Sequence, residues 1–260
     1  MAVLSAEIQL GEAGAGPDPA WRTLYRAGAV TALLAVVAYL VALVLDFTVP
    51  TAPTSGGAAV LQYVADHRVV YILQQVLWLG PSVLLMVVFL ALSVALKDLD
   101  PSWAAIGGVL GVASWAITLA YPATGGGVPA LVYLSDQYVA ATSEVQRAAF
   151  AAAAEGFIAQ NTIPTAIGIL ETIGILILAL VMLKGVFPRW VAYLGIATGA
   201  SGIVCEALKP VLGMGYIVYG LLLFVWLVVI GWELYRLARG TETGRLSIAL
   251  STRGGTKVRA

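Results

Sequence analysis

The sequence contains very few of the residues that metal and redox chemistry need, with one cysteine, Cys205, and one histidine, His67. A single cysteine excludes an intramolecular disulfide, and a single histidine cannot ligate a haem from both sides. The chain also lacks a His-Glu-x-x-His motif, so we expect no metal site and no cofactor. Charged residues make up 11% of the chain and the formal net charge is zero, which gives no indication of a nucleic-acid partner.

Apolar residues account for 60% of the chain and are gathered into long runs. A run of about 20 apolar residues is long enough to cross a hydrocarbon core of about 30 Å. Six such runs predict an all-α membrane protein, a six-transmembrane-helix bundle within residues 22–238 in the cytoplasmic (inner) membrane. The predicted spans cover residues 27–47, 69–96, 102–120, 162–183, 190–208 and 211–235. We expect residues 1–21 to be a disordered cytoplasmic N-terminus and residues 239–260 to be a disordered basic cytoplasmic tail.

The placement of lysine and arginine predicts the orientation of these spans. If the N-terminus is cytoplasmic, only Arg68, Arg147 and Lys209 of the 14 basic residues fall on the outer side. This asymmetry follows the positive-inside rule and predicts that both termini are cytoplasmic. The segment 128–160 is too polar to span but carries helical signals, so we expect an external helical segment between spans three and four.

Glu171 is the one ionisable residue near the centre of any predicted span. A charged side chain at that depth costs about 2.5–3.5 kcal/mol on insertion scales, so intramembrane acids are candidate functional residues. Gly168 and Gly174 lie on the same helical face and would let another helix approach closely. Four polar or aromatic residues share one face of span two: Gln74, Gln75, Trp78 and Ser82. Of these, Gln74 and Gln75 lie at a depth similar to that of Glu171. We therefore expect the Glu171 carboxyl to be buried, protonated and hydrogen-bonded to Gln74 or Gln75.

Two roles for Glu171 stay open at this point. It is either a proton-carrying or ligand-orienting acid, or a structural acid whose hydrogen bond to a glutamine holds two helices together. Further polar residues gather in the outer half of the spans, and the candidates among them for a site are Asn161, Glu206 and Tyr216. Lys209 lies three residues after Glu206, which predicts an ion pair between the two. The inner half carries almost no ionisable residue, which favours an outward-facing pocket over a polar conduit.

Residues 199–202, Gly-Ala-Ser-Gly, match the Gly-x-Ser-Gly signature of rhomboid intramembrane serine proteases. A serine nucleophile needs a base within hydrogen-bonding distance, and no histidine follows Ser201. Gly195 and Gly199 form a Gly-xxx-Gly pair, and close helix packing accounts for the motif. We therefore expect no catalytic residue and no enzymatic activity, with an oligomer conceivable through Gly-xxx-Gly faces.

The junction at residues 184–195, Lys-Gly-Val-Phe-Pro-Arg-Trp-Val-Ala-Tyr-Leu-Gly, resembles one in a family of small prokaryotic membrane proteins known as domain of unknown function 4386. In that family the fourth span ends in a short basic loop with Pro-Arg, followed by a glycine-containing fifth span. The alanine-rich run that ends at residues 154–157 is similar too. The resemblance covers about residues 22–238 and implies the same topology, but it implies no activity.

These observations predict a non-enzymatic membrane protein whose partners are membrane lipid and a small or lipidic ligand, or another partner molecule. The ligand would lie in an outward-facing pocket near Glu171. The alternative is a proton-coupled small-molecule transporter in which Glu171 carries the proton.

Overall fold

A computed structural model describes residues 18–50, 52–53, 55–120, 127–162 and 166–254, and within them the ordered elements are all helical. The α-helices are α1 (Arg22–Thr48), α2 (Gly57–Asp66), α3 (Arg68–Leu79), α4 (Pro81–Leu96), α5 (Pro101–Ala120), α6 (Gly127–Ala140), α7 (Glu144–Thr162), α8 (Ala166–Met182), α9 (Arg189–Ala207), α10 (Lys209–Leu212) and α11 (Tyr216–Gly254). Short 3₁₀ turns at Pro19–Trp21 and Gly213–Gly215 precede α1 and α11.

Within the described residues, five helical segments are long and apolar enough to cross a membrane, so the chain is a multi-pass membrane protein. They are Pro19–Thr48, Arg68–Leu96, Pro101–Ala120, Arg189–Ala207 and Tyr216–Gly240. The predicted fourth span corresponds to α8, whose apolar stretch is the shorter Ile167–Met182. At 1.5 Å per residue, the 17 residues of α8 extend about 25 Å, slightly less than a hydrocarbon core of about 30 Å. The count of six spans therefore stays a prediction.

Six helices form a closed ring in the order of the chain. Each of α1, α4, α5, α8, α9 and α11 packs against the next, and α11 packs against α1. The centre of the ring is apolar and contains the fully buried residues Phe89, Ile175, Leu178, Trp226 and Ile230.

Glycines allow the close approach of the ring helices. A β-carbon at Gly174 would lie 3.0 Å from the carbonyl oxygen of Gly107 and 3.1 Å from the backbone nitrogen of Gly111 in α5. A β-carbon at Gly199 would lie 2.8 Å from the backbone nitrogen of Leu176 in α8. The close approach predicted for Gly174 and Gly199 is confirmed. The Gly195 and Gly199 face is buried within the chain, so it is not free for the oligomer considered from the sequence.

The segment between α5 and α8 is helical, as predicted, and packs on α2 beside the ring. Helices α6 and α7 contact each other and α2, around a second apolar core of Val60, Leu61, Val64, Leu131 and Ala154. The Glu155 carboxyl accepts a 2.5 Å hydrogen bond from the Gly57 N–H, the first of α2, where an anion complements the helix dipole. We call α2, α6 and α7 together the arm.

Several predicted boundaries differ from the structure. The last span was predicted to begin at residue 211, but α10 and a 3₁₀ turn occupy that stretch because Gly213 has a φ of 48°. The tail from residue 239 was predicted to be disordered, whereas α11 continues to Gly254. No proline follows Pro210, so nothing in the sequence forces an earlier end. Pro19–Trp21 form a helical turn within the predicted disordered N-terminus, and residues 1–17 lie outside the described part.

Candidate functional site

A cavity of about 380 Å³ lies between the ring helices at the end of the bundle where α1 finishes and α11 begins. We call this end the Asp46 end, and the opposite one, with Lys97 and Lys184, the Lys97 end. The cavity walls come from α1, α3, α5, α8, α9 and α11. Two carboxyl groups, Glu171 and Glu206, line it together with six aromatic rings: Tyr39, Trp78, Trp115, Tyr216, Tyr219 and Phe224.

The two acids come from neighbouring helices and are both buried. Glu171 on α8 is 7% exposed and Glu206 on α9 is 5% exposed. Glu206 Oε1 accepts a hydrogen bond from the Tyr216 hydroxyl, whereas its Oε2 is buried with no partner among the described residues. Neither acid forms an ion pair with a described basic residue. The site thus holds acceptor capacity that the described part of the chain does not use.

A glycine makes room for the Glu206 carboxyl. A β-carbon at Gly168, one turn before Glu171 on α8, would lie 2.5 Å from Glu206 Oε2. The prediction that Gly168 admits a neighbouring helix is confirmed, and the group that fills the space is an acid from α9. This contact brings the carboxyls of α8 and α9 into one cavity.

The predicted hydrogen bond between Glu171 and a glutamine of span two is wrong. Gln74 donates instead to Asp46 Oδ1 at 3.0 Å, and the Trp78 indole N–H donates to Asp46 Oδ2 at 3.1 Å. The reason lies in the order of the ring, because α3 packs on α1 while α8 packs chiefly on α5 and α9. The Gln74 amide therefore faces Asp46, and Glu171 lies in the cavity with Glu206.

The predicted ion pair between Glu206 and Lys209 is also wrong. The helix ends between them at Leu208, which has φ −102° and ψ 11°, so the i, i+3 spacing does not place them on one helical face. The Lys209 ammonium instead lies 5.3 Å from the ring centroid of Tyr216. Tyr216 thus contacts a carboxyl through its hydroxyl and a cation through its ring.

The eight residues predicted for the site fall into two groups, those that line the cavity and those that do not. Trp78 and Tyr216 line the cavity with Glu171 and Glu206, so the structure brings four of the eight candidates together. Gln74 is buried beside the cavity through its bond to Asp46, and Gln75 is half-buried. Ser82 is fully buried, and its hydroxyl has no partner among the described residues. The side chain of Asn161 lies outside the described part of the chain.

Sequence reasoning counted Asp46 only among the polar residues of the outer half, and of the aromatic wall it proposed only Trp78 and Tyr216 as site residues. The Asp46 carboxyl orients Trp78 through its hydrogen bond to the indole N–H. The ring centroids of Trp78 and Tyr39 lie 5.6 Å apart, and Tyr39 in turn stacks on Phe224 with a centroid distance of 5.7 Å. The indole N–H of Trp115, another lining residue, is buried without a partner among the described residues. A usable signal was the presence of an acid within two residues of the end of an apolar run, since such residues need a donor nearby.

Ser201 has none of the surroundings of an activated nucleophile among the described residues. Its hydroxyl donates to the carbonyl oxygen of Thr198 in its own helix at 3.1 Å. His67 lies at the junction of α2 and α3, where its ring stacks on Tyr63 at 4.7 Å. Comparison of the chain with known protein families, with curated proteins and with solved structures gives no match.

Proposed function

We propose that the protein is a non-enzymatic membrane protein that binds a small or lipidic ligand in the cavity between Glu171 and Glu206. The observation that carries the proposal is the buried Oε2 of Glu206, which has no hydrogen-bond partner in the described part of the chain and lies in a cavity lined mostly by aromatic and aliphatic side chains. Buried polar atoms nearly always have a hydrogen-bond partner. Small-molecule sites typically combine an apolar wall with a few such polar groups.

The rim of the cavity supports a ligand that reaches it from the lipid phase. Ile217 and Leu221 line the cavity on α11 and are 50% and 57% exposed. In a membrane-spanning helix these side chains meet lipid, so an amphipathic molecule can keep its apolar part in lipid while its polar group enters the cavity. This arrangement favours a lipidic or lipophilic ligand over a fully water-soluble one.

For the topology we propose six spans with both termini cytoplasmic, in the cytoplasmic membrane. Two lysines at the Lys97 end form ion pairs with aspartates: Lys184 with Asp100 at 2.7 Å and Lys97 with Asp18 at 3.5 Å. The Asp46 end, where α2 and α3 meet, has Arg68 paired with Asp136 of the arm at 2.7 Å. The basic residues of the connections are thus concentrated at the Lys97 end, which supports a cytoplasmic location for it. The kinship with domain of unknown function 4386 stays a prediction.

Transport with Glu171 as proton carrier is less well supported by the geometry. From the cavity towards the Lys97 end, the described centre of the ring is filled by Phe89, Ile175, Leu178, Trp226 and Ile230. A carrier needs polar or hydrated groups along this path in at least one of its states. The closed apolar floor therefore favours binding.

The proposed function can be tested by filling the cavity. Gly220 lines the cavity, and a β-carbon there would have no atom within 4 Å, so Gly220→Phe has room for its ring. Native mass spectrometry of the purified protein should show a bound small molecule in the wild type and its loss in Gly220→Phe. Gly156→Phe is the matched control, because Gly156 on α7 is equally uncrowded but distant from the cavity lining. Equal adducts in all three proteins would contradict the proposal.

The alternative is tested separately by uptake into proteoliposomes. A proton-coupled carrier should lose pH-gradient-driven uptake in Glu171→Gln while the protein stays folded. Under the binding function, wild type and Glu171→Gln should both fail to accumulate any compound that binds in the cavity.

A further inference from the structure

We propose that the ligand is a monovalent organic cation with apolar substituents, such as a lipophilic amine or quaternary ammonium compound. The inference rests on the proposed function and specifies the chemical class that the same cavity selects. Three features of the cavity bear on it: the sign of its charge, the chemistry of its wall and the position of its rim.

The charge of the cavity selects against anions. Glu171 and Glu206 contribute two carboxyl groups, both more than nine-tenths buried. The described cation beside the cavity is Lys209, which lies over the ring of Tyr216 and forms no ion pair with either acid. An organic cation would be attracted by a carboxylate of this pair, and one that carries an N–H would also give Glu206 Oε2 a donor.

The aromatic wall selects an organic cation over a metal ion. Ca²⁺ and Mg²⁺ take about six or more oxygen ligands, whereas most of this wall is formed by aromatic rings and aliphatic side chains. The faces of aromatic rings attract cations, and Trp binds them most strongly. Trp78 and Trp115 from α3 and α5 both line the cavity with Tyr39 and Phe224. Such rings and carboxyls together suit a substituted ammonium group.

The position of the rim explains the need for apolar substituents. The half-exposed Ile217 and Leu221 place one edge of the cavity against lipid. The cavity volume of about 380 Å³ lies near the lower limit of typical small-molecule sites, about 300–1,000 Å³. A compact cationic head can occupy the space between the acids while the apolar part lies along the rim.

The test uses ethidium, a lipophilic cation whose fluorescence rises in apolar surroundings, and the full-length protein in a neutral detergent. Bound ethidium is then displaced with benzyltrimethylammonium or with neopentylbenzene, its neutral isostere of the same shape. We expect the cation to compete at a concentration at least about tenfold lower than the neutral compound. Glu206→Gln and, independently, Glu171→Gln should each weaken ethidium binding by at least about tenfold, whereas the exposed-site control Glu144→Gln should not.

The outcomes separate the ligand class from the proposed function. If the neutral isostere competes as well as the cation, and Gly220→Phe abolishes binding of both, the cavity binds ligands but the cationic class is wrong. If ethidium binds and neither glutamine variant weakens it, the cationic class is wrong as well. If wild-type protein binds neither ethidium nor benzyltrimethylammonium, the cationic class is wrong and native mass spectrometry alone decides the proposed function. If both bind and Gly220→Phe changes nothing, both proposals fail.

Discussion

The Asp46 carboxylate offers the sharpest energetic test of the described site. Its two oxygens accept hydrogen bonds from the Gln74 amide and the Trp78 indole, and hydrogen bonds to charged groups contribute about 1.5–3 kcal/mol each. Asp46→Leu keeps a similar shape but leaves both donors unpaired. Trp78→Phe removes one donor together with some packing against Tyr39.

A double-mutant cycle isolates the bond between Asp46 and Trp78. The packing lost in Trp78→Phe is the same in both backgrounds and cancels, so the coupling free energy should be about 1.5–3 kcal/mol. The double variant is therefore more stable than the sum of the two single losses implies. Asp46→Asn should cost far less than Asp46→Leu, because the Gln74 amide can turn and accept from the new amide while the indole keeps its acceptor.

The free energy of unfolding can be measured by titrating the purified protein from mild detergent into sodium dodecyl sulfate while following far-ultraviolet circular dichroism. Asp66→Leu is the matched control, since Asp66 accepts a bond from Gln62 on an exposed surface and its loss should stay within about 0.5 kcal/mol. Additivity of Asp46→Leu and Trp78→Phe within about 0.5 kcal/mol would refute the shared hydrogen bond.

Three further predictions concern the rest of the molecule. Gly57→Ala places a methyl group against the Ala151 carbonyl and should destabilise the packing of the arm by about 1–3 kcal/mol. Proteolysis within α6 and α7 should then be faster, whereas Gly156→Ala should leave its rate unchanged. A hydrogen bond from Lys184 holds the pKa of Asp100 below its usual range. The pair therefore stabilises the protein above about pH 4, and this stabilisation is lost as the pH falls through the pKa of Asp100 in the folded protein. The pH dependence of the free energy of unfolding should lack this contribution in Asp100→Asn. In a cysteine-free background, Ser143→Cys in intact cells should react with a membrane-impermeant maleimide and Lys184→Cys should not; the reverse pattern would invert the topology.

The positions of most helices could be predicted because they depend on the local sequence. The predicted spans 69–96 and 102–120 match Arg68–Leu96 and Pro101–Ala120 closely, since Arg68 and Lys97 bound the first apolar run and Asp100 precedes the second. Asp100 accepts a hydrogen bond from the Trp103 N–H at 3.2 Å, and such a cap before a proline is a local signal for a helix start. The turn before α11 was missed because it depends on the backbone at Gly213.

The contacts of the site could be predicted only in part, because they depend on which helices become neighbours. The sequence placed Gln74 and Glu171 at similar depth, but a common depth does not decide partners: Gln74 donates to Asp46 of α1, on which α3 packs, while Glu171 lies beside α9. The sequence also gave Glu206 and Lys209 a common helical face, which the break at Leu208 removes. The close packing at Gly168 was predicted correctly, because a small residue beside an acid indicates the close approach of another helix, whichever helix that is.

Closure of the ring by the first and last long helices has a consequence for biosynthesis. Gly231 of α11 packs against α1, where a β-carbon would lie 3.1 Å from that of Ala32, and Gly28 of α1 leaves room for Leu234. Because α1 precedes α11 in the chain, α1 acquires one of its two ring neighbours only after α11 has been synthesised. Until then the small-residue seam of α1 faces lipid or the insertion machinery, and a chain truncated before α11 would lack the wall of the cavity that Tyr216 and Tyr219 provide. The ligand site is thus complete only after α11 has entered the membrane.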